Sequence, residues 1–90
     1  MSTETLEVTK TTVDTEQEPK IVVFNDNHNS FDHVITCLVK FCKHSVSQAE
    51  QCALIIHSKG KYAVKHGPLE ELLPINEALG ANDLTTEIQF

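Results

Sequence analysis

The chain is poor in aromatic residues and in positive charge, and both shortages limit what it can do. Its 90 residues include no Trp, one Tyr and four Phe, so the aromatic part of any core is small. Acidic residues outnumber basic ones by 13 to 7, which gives a formal net charge of −6. Nucleic-acid binding depends largely on Lys and Arg contacts to phosphates, and a basic patch is also what attracts a protein to an anionic membrane surface. The composition therefore argues against both kinds of partner.

Long hydrophobic runs are also missing from the sequence. No apolar stretch approaches the roughly 18 residues that a membrane-spanning helix needs. The N-terminal region lacks the apolar segment of a secretory signal, so we expect a cytoplasmic protein. A chain this short has a marginal core with little space for an internal cavity. We therefore expect a single domain with a shallow surface site.

The chain has three cysteines, which is an odd number. Cys37, Cys42 and Cys52 form no C-x-x-C pair, and an odd count without a secretory signal indicates reduced thiols rather than a disulfide framework. With five His in the chain a small zinc-binding domain is an alternative, but no Cys/His spacing fits a structural zinc site. We expect the three cysteines to be small core residues, and we expect no cofactor.

The first 20 residues differ in composition from the rest. They contain six Thr, five acidic residues and two Lys, with few large apolar side chains. Such a segment buries too little apolar surface to offset the entropy lost on ordering. We therefore expect residues 1–20 to be a flexible acidic tail and residues 21–90 to be the folded domain.

Six segments of the remaining chain carry a clear hydrophobic period, of two for strands and about 3.6 for helices. They are a strand at 21–24, a helix from about 31 to 44, a helix at 46–58, a strand at 61–66, a helix at 69–79 and a strand at 84–90. The order β-α-α-β-α-β predicts an α+β fold, in which a three-stranded antiparallel sheet carries the helices on one face. Asn29 or Ser30 should cap the first helix, Gly60 should end the second, and Pro74 should end or kink the third.

Two polar features follow apolar segments and stand out as a candidate binding site. Asn25-Asp26 comes directly after the strand Ile-Val-Val-Phe, and His57 lies in the last turn of the second helix. Taken singly, the first is typical of a turn and the second of a favourable partner for the helix dipole. Together, a carboxamide, a carboxylate and a neutral imidazole offer acceptors for a cation with several N–H donors, such as a peptide's α-amino group.

The same residues, in the same order, resemble the ClpS family of Clp protease adaptors. The family has an apolar strand ending in Asn-Asp and a second helix ending in a Val-His-x-x-Gly pattern. Here these are Val23-Phe24-Asn25-Asp26 and Ile55-Ile56-His57-Ser58-Lys59-Gly60. The family's Thr-Pro-Met helix start corresponds to Asn29-Ser30-Phe31. The resemblance covers about residues 20–88.

The resemblance implies an adaptor that recognises N-degrons, proteins whose N-terminal residue is a large hydrophobe. It would deliver them to the AAA+ unfoldase ClpA of the Clp protease, or to an equivalent Clp chaperone. Asn25, Asp26 and His57 would bind the substrate's α-amino group. The hydrophobic pocket and its rim would be formed by Asn29, Phe31, Val34, Ala53, Ile56 and Leu84.

Catalysis is not indicated by the sequence. The chain has no nucleophile with an assignable base, no Gly-rich phosphate loop and no metal-ligand set, so we expect no enzymatic activity. The alternative function is a protein-interaction or assembly module of similar fold that does not read N-termini.

Overall fold

The computed structural model describes residues 18–90 and contains the six expected elements in the expected order. They are β1 (Lys20–Phe24), α1 (Phe31–Cys42), α2 (Val46–Lys59), β2 (Lys61–His66), α3 (Leu69–Ala81) and β3 (Thr85–Gln89). The predicted α+β class is confirmed. Strand β1 begins one residue earlier than expected, at Lys20, and α1 ends two residues earlier than expected, at Cys42. The prediction of a flexible tail over residues 1–20 falls almost wholly on residues 1–17, which lie outside the described residues.

The first strand is the centre of the sheet. The strand order is β2-β1-β3, and β1 pairs antiparallel with both neighbours. Phe24, the last residue of β1, is opposite Lys61 on one side and Thr85 on the other. The loop that leaves β1 therefore starts between the beginning of β2 and the beginning of β3.

One face of β1 carries the core. Ile21 and Val23 are 0% and 1% exposed, and they alternate with Val22 along the strand, so they share a face. Both belong to a single apolar cluster with residues of all three helices, namely Cys37, Leu38, Cys42, Ala49, Cys52, Ile56, Leu72 and Leu79. Val22 does not belong to that cluster. The helices thus cover the Ile21–Val23 face, as the sequence predicted.

The three cysteines are free and buried in the core. Burial raises the pKa of the Cys37 and Cys52 thiols, and it raises the pKa of Cys42 to about 11. Because the reactive form is the thiolate, these groups act as small apolar side chains at neutral pH.

Helix ends follow the local sequence, with one exception. Ser30 caps α1 by accepting a hydrogen bond from the His33 backbone, and Gly60 ends α2 with a φ of 94°. Pro74 was expected to end or kink the third helix, and it does not end it, because α3 continues to Ala81. Proline removes one backbone donor, but Leu72 and Leu79, on either side of it, are fully buried. We infer that their burial holds the helix together through Pro74.

Candidate functional site

The loop after β1 is organised around the Asp26 carboxylate. Its Oδ1 accepts hydrogen bonds from the backbone N–H groups of His28 (3.3 Å) and Asn29 (3.1 Å). This is the local bonding by which Asp stabilises a turn. The Asn29 side-chain nitrogen lies 2.9 Å from each carboxylate oxygen, and the Thr85 hydroxyl donates to Oδ2 at 3.1 Å. The carboxylate is therefore fixed by both the loop and β3.

The end of α2 lies beside this loop. The Asn25 backbone N–H donates to the Gly60 carbonyl at 2.8 Å, which joins the start of the loop to the glycine that ends α2. An added Cβ at Gly60 would meet nothing within 4 Å, so it is the left-handed φ, and not the available space, that favours glycine here. His57, in the last helical turn, is exposed. The Gly60 turn thus brings the imidazole and the loop to the same edge of the domain.

A cavity of about 410 Å³ lies between the loop, α1 and α2. We call it the main pocket. Its polar lining is Asn25, Asp26, Asn27, Asn29 and His57, and its apolar lining is Phe31, Val34, Ala53 and Ile56. This volume is in the lower part of the range of small-molecule sites, about 300–1,000 Å³. The pocket thus combines a polar end with an apolar wall.

Eight of the nine residues expected at the site line the main pocket. The ninth, Leu84, is 6% exposed and lines a smaller cavity of about 20 Å³ together with Asp26, Val34 and Ile56. Leu84 therefore lies under the apolar wall rather than in the open pocket.

Two residues near the site were missed by sequence reasoning. Asn27 lines the main pocket, and its position next to Asn25-Asp26 was the available signal. Thr85 bonds Asp26 across 59 residues of sequence. A threonine in a strand carries no local sign of such a contact, so only the β1–β3 register places it there.

The Asp26 carboxylate keeps its negative charge in this environment. Partial burial raises its pKa, but hydrogen bonds from Asn29 and Thr85 and the positive charge of His28 outweigh burial, so the pKa lies below its ordinary value of 3.8. Hydrogen bonds donated to the charged form favour that form. The polar end of the pocket therefore carries an anion at neutral pH.

Asn29 is engaged inside the protein through its side-chain nitrogen. That nitrogen donates to Asp26 and also to the backbone carbonyl of Asp83 at 2.8 Å. With both amide hydrogens directed at protein acceptors, what Asn29 offers to a ligand is its carbonyl oxygen. It can accept a hydrogen bond from an N–H donor in the pocket.

The described residues have a further cavity on another side of α2. A second cavity of about 290 Å³ lies between α2 and β2, with His44, Gln51 and Tyr62 among its lining residues. Within residues 18–90, no three His, Cys, Asp or Glu side chains come together as a metal site. No helix in this part of the chain is long and apolar enough to cross a membrane.

A family model and a known relative match most of this chain. The model of the family "ATP-dependent Clp protease adaptor protein ClpS" matches residues 14–84. The ATP-dependent Clp protease adapter protein ClpS of Thermosynechococcus vestitus is 34% identical over 67 residues, which cover 73% of this chain and 71% of that protein.

A solved structure also has the same fold. The chain is similar to the structure of Agrobacterium tumefaciens ClpS2 bound to L-phenylalaninamide, with a TM-score of 0.69 and 18% sequence identity, over 80% of this chain and 96% of that one. At that identity the likeness shows the fold alone, whereas the family model and the Thermosynechococcus relative show the family. The chain belongs to the ClpS family of ATP-dependent Clp protease adaptor proteins.

Proposed function

We propose that this adaptor binds the free N-termini of proteins that begin with a large hydrophobic residue and delivers them to the AAA+ unfoldase of the Clp protease. One observation carries the proposal: the main pocket joins a polar, anionic end to an apolar wall. A peptide N-terminus has the matching chemistry, because its ammonium and its first side chain leave the same carbon atom.

The polar end suits an ammonium. An ammonium that enters a partly dry pocket must keep its hydrogen bonds or lose several kcal/mol, on the order of the cost of burying an unpaired charged group. Asp26 supplies negative charge, the Asn25 side-chain carbonyl supplies an acceptor, and a ring nitrogen of His57 supplies a lone pair. An internal residue has no ammonium and leaves these acceptors unmet, so it is rejected.

The apolar wall suits a large hydrophobic side chain. Val34, Ala53 and Ile56 lie on two different helices and face one cavity. Full burial of a large hydrophobic side chain contributes about 1.5–3 kcal/mol. Phe31, at the first helical position of α1, is 42% exposed, which places a partly free ring at the mouth. The relative from Agrobacterium was solved with L-phenylalaninamide, a molecule with a free amine and a benzyl side chain.

Delivery requires a second surface, for which we propose α3 and the N-terminal segment. Glu70 and Glu71 lie in the first turn of α3 and are exposed, so they are available to a Clp chaperone such as ClpA or its equivalent in the cytoplasm. Residues 1–17 lie outside the described residues. We propose that the unfoldase engages them, because an acidic, Thr-rich segment has few apolar groups to bury elsewhere.

A peptide titration tests the binding half of the proposal. A labelled peptide that begins with Phe should bind, and its N-acetylated twin, which has lost the charge and two donors, should not. Asp26→Ala and His57→Ala should each weaken binding by about 1.5–3 kcal/mol, the range for a hydrogen bond to a charged group. Gln51→Ala, in the second cavity, is the control and should leave affinity unchanged. Equal affinity for the free and acetylated peptides would refute the proposal.

A further inference from the structure

The contacts of Asp26 point to a residue outside the pocket lining. We propose that Thr85 is a positioning residue for recognition of the free amine, because its hydroxyl fixes the orientation of the Asp26 carboxylate at the polar end of the pocket. This inference rests on the proposed function, since it assigns the means by which one of the amine-binding groups is held.

The two oxygens of Asp26 are held differently. Oδ1 accepts from three groups of its own loop, namely the backbone N–H of His28, the backbone N–H of Asn29 and the Asn29 side chain. Oδ2 accepts from the Asn29 side chain, which it shares with Oδ1, and from Thr85. A carboxylate oxygen has about two lone pairs. Oδ1 therefore has more donors than lone pairs, whereas Oδ2 has a single unshared donor among the described residues, the Thr85 hydroxyl. Oδ2 is the less occupied oxygen and the better acceptor for an ammonium.

Thr85 is also the one donor to Asp26, among the described residues, that lies outside the loop. The other donors belong to residues 28 and 29 and move with the carboxylate when the loop moves. Thr85 begins β3 and is paired with Phe24, so the central sheet fixes its position. The contact therefore sets the direction of Oδ2 relative to the sheet and the pocket.

The corner before Thr85 is held in place by the loop before α1 and by α1 itself. The Asp83 carbonyl accepts from the Asn29 side chain at 2.8 Å, and His33 Nε2 lies 2.8 Å from the Asn82 carbonyl, to which it donates. Asp83 has a φ of 74°, a conformation that Asp tolerates better than most residues. These contacts, together with buried Leu84, keep the Thr85 hydroxyl in reach of Asp26.

Three variants separate a positioning role from a structural one. Thr85→Val keeps the shape of the side chain and removes the hydroxyl, whereas Thr85→Ser keeps the hydroxyl. Thr86→Val makes the same change one residue along β3, at a position paired with Val23. Each variant is titrated with a Phe-initiated peptide and with a desamino twin that keeps the phenyl group but lacks the amine. Thermal unfolding reports folding in parallel.

Thr85→Val should lower the affinity for the Phe-initiated peptide about tenfold. This corresponds to the loss of one hydrogen bond whose free energy is at the lower end of the range for charged acceptors. The desamino twin should be unaffected, so the ratio of the two affinities falls. Thr85→Ser should restore the ratio and Thr86→Val should not change it. In carboxyl NMR of the free protein, Thr85→Val should also raise the Asp26 titration midpoint, since a hydrogen bond to the charged form is lost.

The failures of the two proposals can be told apart. A wild-type protein that binds the Phe-initiated peptide and its desamino twin equally overturns the proposed function. If the wild-type protein prefers the Phe-initiated peptide to its desamino twin and a folded Thr85→Val protein shows the same ratio of affinities, that result overturns only the role of Thr85. Equal weakening of both peptides by Thr85→Val also overturns it, because that result describes a general loss of structure.

Discussion

Replacing Phe31 by alanine should change which N-terminal residues the pocket accepts more than it changes the stability of the fold. Phe31 lies at the pocket mouth, at the first position of α1, with Val34 one turn further on. Phe31 stands where the family pattern has methionine. A phenyl ring has two χ angles and cannot deform as the thioether side chain of methionine can. It should favour flat aromatic first residues through ring contacts and obstruct Ile and Val, which branch close to the backbone.

The expected cost to folding follows from the exposure of Phe31. A fully buried Phe replaced by Ala costs about 3–5 kcal/mol. Phe31 is 42% exposed, and the open pocket beside it means that little new cavity is created. We therefore expect a loss of about 1–2 kcal/mol in the free energy of unfolding, scaled from the apolar area still buried. If Phe31 were a core residue, its replacement would cost roughly the full 3–5 kcal/mol.

The assay is a comparative titration of Phe-, Leu- and Ile-initiated peptides against both proteins, beside urea unfolding. Compared with the wild-type protein, the Phe31→Ala protein should bind the Ile-initiated peptide more tightly and the Phe-initiated peptide less tightly. Phe41→Ala is the matched control, because Phe41 packs against the core and does not line the pocket; it should lower stability and leave the peptide order unchanged. If Phe31→Ala behaves as Phe41→Ala does, Phe31 is a core residue and not a gate.

Three further predictions concern the core, the Asp26 charge and the N-terminal segment. Leu72→Ala should lower the free energy of unfolding by about 2–5 kcal/mol, because Leu72 is 0% exposed. Leu73→Ala is the control and should change the free energy of unfolding little, because Leu73 is 51% exposed. Equal losses in urea unfolding would contradict the core described here. The pKa of Asp26 in the folded state lies below its ordinary value of 3.8. The charged carboxylate therefore stabilises the fold fully at pH values above the pKa of the unfolded state, and this stabilisation is lost as the pH falls through the folded pKa. Asp26→Asn should therefore flatten the acid side of the stability–pH curve, and an unchanged curve would show that the carboxylate bonds do not matter to folding. Removing residues 1–17 should leave peptide affinity unchanged but stop substrate degradation in a reconstituted Clp assay, and full degradation would mean that the segment has no part in delivery.

Much of the fold could be predicted because local signals and the hydrophobic pattern agree. The capping Ser30, the C-terminal Gly60 and the apolar repeat of α1 all indicate the boundaries found in the structure. The expectation that Pro74 would end or kink α3 failed for the ending, because it followed from the rule for proline, which describes one lost donor and a local clash. It takes no account of the tertiary burial of Leu72 and Leu79 on either side.

The site could be predicted where its residues belong to local motifs, and not where they depend on register. Asn25-Asp26 and His57 each sit at the end of an element, and the family pattern links them. Thr85 reaches Asp26 only because β3 pairs with β1 in one register, and a shift of one residue would put Thr86 in its place. A pairing between strands this distant in sequence leaves no local trace.

The most direct test of the account is an NMR titration of the wild-type protein with a short Phe-initiated peptide, followed through backbone amide signals. The account predicts that the largest shifts fall on the loop and helix end that form the main pocket, at Asn25, Asp26 and His57. Signals of His44 and Gln51, which line the second cavity, should stay in place. Shifts that cluster at the second cavity while the Asn25–Asp26 loop stays unchanged would contradict the central claim that the main pocket binds the N-terminus.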